Sequence, residues 1–154
     1  MLEQDLKRKK MKTHTEKELR YHKAYLRIAR EWAKLSHCVR KQVGAILVKD
    51  DMIISDGYNG MPAGFGNCCE DENGNTKWET LHAEQNVILK LADSTNKASG
   101  AILYLTLSPC KDCSKMIARC NIKKVVYLEK YRDEEGLQFL HKCGVEAIHL
   151  PEID

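Results

Sequence analysis

Four chemically active side chains sit in two short runs, His82-Ala83-Glu84 and Pro109-Cys110-Lys111-Asp112-Cys113, and 27 residues separate His82 from Cys110. One imidazole and two thiols fill three corners of a tetrahedral zinc site, so the fold must bring these distant runs together. With three protein ligands the fourth corner is left for water, the arrangement of a catalytic zinc, and the pKa of that water falls to about 7. His82 and Glu84 on one helix turn would project about 200° apart, which argues against both being ordinary ligands of one ion. Glu84 is instead placed as a general acid and base that reaches the attacking oxygen and the substrate. Ser108 and Pro109 read as cap and first-turn residues of the helix that carries Cys110 and Cys113. The free amides at such a helix start favour thiolates. Cys-x-x-Cys alone would also fit a redox dithiol or half of a structural zinc knuckle, but either alternative leaves Glu84 as an accident.

The chain has 154 residues, one domain's length. Residues 1–19 read as a polar extension and 20–154 as the domain. Tyr21, Ala24, Tyr25, Ile28, Ala29, Trp32 and Leu35 recur at helical spacing, predicting an amphipathic helix over 20–35. Val43–Val48 and Met52–Ser55 read as strands of a hairpin turned at Lys49-Asp50-Asp51, followed by a glycine-rich loop over Gly57–Gly66. Beyond a polar stretch, helices are expected near 82–92, 111–120 and 134–142, and strands near 101–106, 124–128 and 145–150. This order predicts an α/β domain with one sheet, largely parallel in its second half, between helical layers.

The net charge is +3 with both signs mixed, which gives little support for a large nucleic-acid surface and suits a small phosphorylated ligand better. Seven cysteines, with no leader and no membrane-length apolar run, predict a cytoplasmic protein whose thiols stay reduced. The basic run Lys7–Lys12 reads as the solvated start of the extension. Cys120 and Cys143 read as ordinary helix positions.

The paired motifs carry the signature of zinc deaminases. Residues 20–149 further resemble the deoxycytidylate (dCMP) branch of the cytidine deaminase superfamily. The resemblance runs through Gln42-Val43-Gly44-Ala45, Gly57-Tyr58-Asn59-Gly60-Met61-Pro62, His82-Ala83-Glu84-Gln85-Asn86 and Thr106-Leu107-Ser108-Pro109-Cys110. It implies a three-layer αβα cytidine deaminase-like fold with a central five-stranded mixed sheet. It implies hydrolysis of dCMP to dUMP and ammonia, which supplies thymidylate synthesis, with one catalytic zinc held by His82, Cys110 and Cys113 and Glu84 as the acid and base. It places Arg40, Tyr131 and Arg132 near the nucleotide and Asn59 on its sugar.

The resemblance also implies a hexamer activated by dCTP and inhibited by dTTP, with Gly60, Gly64 and Phe65 in the effector loop. In some viral members it implies a second, structural zinc, for which Cys38, Cys68 and Cys69 match the cysteine half. The histidine half is missing from Asn67–Leu81, so the site would be completed by His37, by both Cys68 and Cys69, or by a histidine from another subunit, and free buried thiols are the favoured alternative. Two other functions use the same zinc motif. A tRNA adenosine deaminase would need a basic, aromatic groove, against which the two Trp and two Phe weigh. A weakly active DNA-uptake accessory protein would have no need of Glu84.

Overall fold

The computed structural model describes residues 14–154, and the Lys7–Lys12 run lies outside them. Helix α1 spans Glu16–Ala33 and opens with a capping box, in which Thr15 Oγ1 accepts from Glu18 N and Glu18 accepts from Thr15 N. It thus begins four residues inside the segment expected to be a polar extension. The expectation rested on the apolar stripe, which starts only at Tyr21, whereas the cap and its acidic first turn set the true start.

Strands β1 (Gly44–Lys49) and β2 (Met52–Tyr58) form the expected hairpin. Asp50 and Asp51 both have positive φ, 51° and 60°, the backbone that a two-residue type I′ turn requires. β2 runs three residues past its expected end, into the predicted loop. Gly57 permits this, because a Cβ there would lie 3.1 Å from Val87 Cγ2 on the helix packed across it.

The remaining elements are α2 (Ala83–Lys90), β3 (Ile102–Leu107), α3 (Lys111–Arg119), β4 (Lys124–Glu129), α4 (Glu135–Lys142) and β5 (Glu146–His149). The five strands lie in the order β2-β1-β3-β4-β5, with β1 antiparallel to both neighbours and β3, β4 and β5 parallel. The mixed five-stranded sheet of the expectation is therefore present.

Strand alternation divides the core into two layers. Ala45, Leu47, Leu103, Leu105 and Val125 face Val87 of α2, Ile117 of α3 and Leu140 of α4. Ile46, Val48, Tyr104 and Val126 face Leu26 and Ala29 of α1, joined by Ile153 from the C-terminal segment. Among the described residues no helix is long and apolar enough to cross a membrane.

This topology determines where the site lies. Because β1 is antiparallel to its neighbours, its start shares one sheet edge with the ends of β2, β3 and β4. The segments 36–43, 59–82, 108–110 and 130–134 all emerge along that edge, the position where ligands bind in open α/β sheets.

Candidate active site

His82 and Cys110 are the N-cap residues of α2 and α3. This corrects the expectation that Ser108 and Pro109 cap and open α3; that helix starts at Lys111, one residue after the ligand. Gln85 Oε1 accepts from His82 N at 2.7 Å and fixes the start of α2. His82 Nδ1 lies 3.6 Å from Cys110 Sγ and 3.3 Å from Cys113 Sγ, and the three ligand atoms lie within 4.8 Å of one another. Bonds of 2.0–2.3 Å to a tetrahedral ion require ligand edges of roughly 3.3–3.8 Å. The donor set and its spacing therefore fit zinc.

Glu84 is 4% exposed, and its Oε2 stands 4.0 Å from His82 Nδ1. It is not part of the three-residue cluster. Burial pushes its carboxyl above the usual carboxylate range, against the opposing pull of Cys113 and His82. The Cys110 thiol is pulled down to about 4, first by the hydrogen bond from Cys113 and then by His82, against its burial. Cys113 is pushed up by its hydrogen bond with Cys110 and by burial. His82 is raised by its hydrogen bond with Cys110, against desolvation. These shifts share one cause, the close approach of the two sulfurs and the imidazole to one another, and a divalent cation binds such thiols in their deprotonated form.

The metal-ligand group opens into a cavity of about 420 Å³ whose wall includes Arg40, Asn59, Glu84, Tyr131 and Arg132. Arg40, Tyr131 and Arg132 reach this cavity from two loops. Lys41 and Lys130 also line it. The lysines form ion pairs with Glu129 and Glu134, each at 2.9 Å. Among the described residues, no carboxylate pairs with the guanidinium of Arg40 or Arg132.

Asn59 lines the cavity, but its side chain is engaged with the backbone: Oδ1 accepts from Val43 N at 2.8 Å and Nδ2 donates to Lys41 O at 2.7 Å. It stitches the 36–43 segment to the end of β2, which leaves one amide N–H for a ligand. Gly60 pairs through its backbone with Leu81. Gly64 and the exposed Phe65 form an outer loop and do not line the cavity.

The cysteine expectation needs correction. Cys38 and Cys69 are joined in a disulfide, with Cα atoms 5.1 Å apart, rather than left as free thiols, while Cys68 is exposed and its Sγ donates to Glu70 O. Of the three cysteines considered for a second zinc, two are bonded to each other and one, Cys68, is a free thiol. The hairpin explains the pairing, because antiparallel β1 and β2 set the segment before one beside the segment after the other.

Sequence reading missed Lys41, Lys130, Ser108 and Glu70. Lys130 could have been found from its place in the Lys130-Tyr131-Arg132 run. Ser108 Oγ accepts from Tyr131 N at 2.7 Å, and Glu70 Oε1 accepts from Val39 N and Arg40 N at 2.8 and 3.0 Å. These contacts are 23 to 31 residues apart in the chain, and no local pattern marks them.

The family model for the cytidine and deoxycytidylate deaminase zinc-binding region matches residues 19–129. The deoxycytidylate deaminase of Enterobacteria phage T4 is 33% identical over 170 residues, covering 82% of this chain and 88% of the phage protein. ComE operon protein 2 of Bacillus subtilis (strain 168) is 37% identical over 123 residues, covering 77% of this chain and 65% of that protein. Among solved structures, the dCMP deaminase of cyanophage S-TIM5 in complex with dCMP and dUMP aligns with a TM-score of 0.81 and 46% identity. That alignment covers 82% of this chain and 94% of the cyanophage chain.

Proposed function

We propose that this chain, which belongs to the cytidine and deoxycytidylate deaminase family, hydrolyses dCMP to dUMP and ammonia. The observation that carries the reading is a buried carboxylate, Glu84, beside a His-Cys-Cys group, in a cavity bordered by two arginines that pair with no carboxylate among the described residues.

His82, Cys110 and Cys113 would hold a zinc ion, which when bound would act as a Lewis acid toward water near neutral pH. Glu84, whose carboxyl is raised by burial, takes a proton from the attacking water and passes it to the ring nitrogen beside C4, then takes the proton of the new C4 hydroxyl and delivers it to the amine, which leaves as ammonia. Arg40 and Arg132 hold the 5′-phosphate, because a guanidinium without a protein partner is open to bidentate phosphate binding. Tyr131 forms a wall of the base pocket. Asn59 positions the 36–43 segment and turns its remaining N–H toward the sugar.

The reading extends to dCTP as activator and dTTP as inhibitor at the 57–67 loop, in a hexamer. The 62% exposure of Phe65 on that loop supports a ligand or subunit contact there. It also extends to a cytoplasmic role in supplying dUMP for thymidylate synthesis.

The test is ammonia release from zinc-loaded protein given dCMP, dCTP, cytidine or an adenosine-bearing tRNA stem-loop, each with and without dCTP as effector. Preference for dCMP supports the reading. Turnover of the tRNA stem-loop alone, or zinc binding with no turnover of any substrate, would replace it with one of the two alternatives.

A further inference from the structure

We propose that Gly136 is a positioning residue for the zinc-ligand turn: the first turn of α4 packs directly on Pro109–Ser114, and only a residue without a side chain permits that approach. The inference rests on the reading of this turn as metal-holding.

Glycine is less favourable than alanine inside a helix, and it is common where the backbone needs a positive φ. Gly136 is the second residue of α4, and it is not among the glycines with positive φ, which are Gly64, Gly66, Gly74, Gly100 and Gly144. Its backbone conformation therefore does not explain it, but its surroundings do. A Cβ at Gly136 would lie 2.9 Å from Cys110 O and 2.7 Å from Ser114 Oγ, and closer still to Pro109 O. Two of the three obstacles are main-chain carbonyls of the ligand turn, which cannot rotate aside as a side chain can. At Gly64, Gly66 and Gly74, by contrast, an added Cβ would meet nothing within 4 Å.

Neighbouring contacts hold the same two helix starts together. Ser114 N donates to Cys110 O at 2.9 Å, closing the first turn of α3 around the ligands. Lys111 and Glu135, one on each helix, pair at 2.9 Å. Ser114 Oγ is fully buried beneath Gly136 with no hydrogen-bond partner among the described residues. A buried hydroxyl without a partner is unfavourable, and here it occupies the gap between the ligand turn and α4. Metal sites depend on groups beyond the ligands to hold ligand orientation, and loss of one such group typically weakens metal binding by about 10- to 100-fold.

The experiment is Gly136→Ala in the full chain, with zinc affinity measured by competition against a chromophoric chelator and folding of the metal-free protein followed by far-UV circular dichroism. We expect at least about a tenfold loss of zinc affinity with the helical signal kept, following the usual effect of disturbing a ligand's support. In the cobalt(II)-loaded variant, the thiolate-to-metal absorption should shift as Cys110 is displaced. The double variant Ser114→Ala/Gly136→Ala removes the hydroxyl and leaves both carbonyl clashes, so the loss should persist.

Wild-type affinity in Gly136→Ala overturns the proposal. So does full rescue in the double variant, which would assign the effect to the Ser114 side chain. Failure of both variants to fold also counts against it, because an effect confined to the ligand turn leaves the rest of the core intact. Absence of zinc binding in the unaltered protein is a different result, one that removes the deaminase reading itself.

Discussion

In the proposed reaction Glu84 must exchange protons with water and substrate, although its side chain is 4% exposed. Desolvation raises its pKa, and that shift moves a carboxyl toward the working pH of an acid-base catalyst. Glu84→Gln keeps the shape and removes the exchangeable proton. We expect zinc content near wild type and dCMP turnover reduced by about 10²- to 10⁴-fold, read from metal analysis and ammonia release. Cys110→Ala should lose both, since it removes a ligand. Full activity in Glu84→Gln would exclude the carboxyl from proton transfer. The identity of these four residues was legible in the sequence because their types and spacing are themselves the chemistry. Their protonation was not legible, because burial and the 3.3–3.6 Å approach of His82 to the two sulfurs exist only after residues far apart in the chain have met.

Local signals placed most elements correctly and most ends imperfectly. Helix α1 begins at the Thr15 cap rather than where its apolar stripe begins, and α3 begins beyond Cys110 because that residue occupies the cap itself. β2 outruns its apolar residues because β1 continues to offer it backbone partners as far as the Gly44–Tyr58 pair. The hairpin turn is an element whose sequence is not ideal for its shape. Asp51 holds a φ of 60°, which glycine adopts without the Cβ penalty. Asp51→Gly should therefore raise stability by about 0.5–1 kcal/mol, measured by urea unfolding, with dCMP turnover unaffected. A loss of stability would show that Asp51 contributes something the backbone argument omits.

Across the whole molecule, two long-range contacts join segments that no local pattern relates. Cys38 and Cys69 are 31 residues apart, and their disulfide closes a loop around the hairpin. Loop-closure entropy for that separation is worth roughly 3–4 kcal/mol, so reduction with a dithiol should lower the unfolding free energy by about that amount. Equal stability of oxidised and reduced protein would show that the pairing does not constrain the chain. His22 on α1 is 4% exposed, and its Nδ1 lies 2.7 Å from the hydroxyl of Tyr104 on β3. Burial, followed by the nearby Lys124 and His14, holds its pKa below the ordinary imidazole value, while Glu18 and Glu146 pull the other way. The unfolded chain then binds a proton that the folded chain refuses. Stability is complete above the ordinary imidazole value of about 6.5 and is lost as pH falls below it toward the folded-state value. In metal-free protein, His22→Gln should show a smaller loss than wild type between pH 7.5 and 5.5 on urea unfolding; identical losses would exclude His22 as a source.

The amino-acid order alone determined the ligand set, the accompanying carboxylate, the strand alternation and the family, because ligand chemistry and the periods of helix and strand are written in residues close together in the chain. Tertiary structure alone decided which cations face the cavity without a carboxylate partner, that Asn59 is engaged with two backbones, that Cys38 finds Cys69, and that α4 must carry glycine where it meets the ligand turn. The first three depend on the antiparallel placement of β1, which sets the segment before it beside the segments after β2, β3 and β4, whereas the last depends on the parallel run β3-β4-β5, which sets the starts of α3 and α4 side by side. Both arrangements are set by the packing of both helical layers onto the sheet.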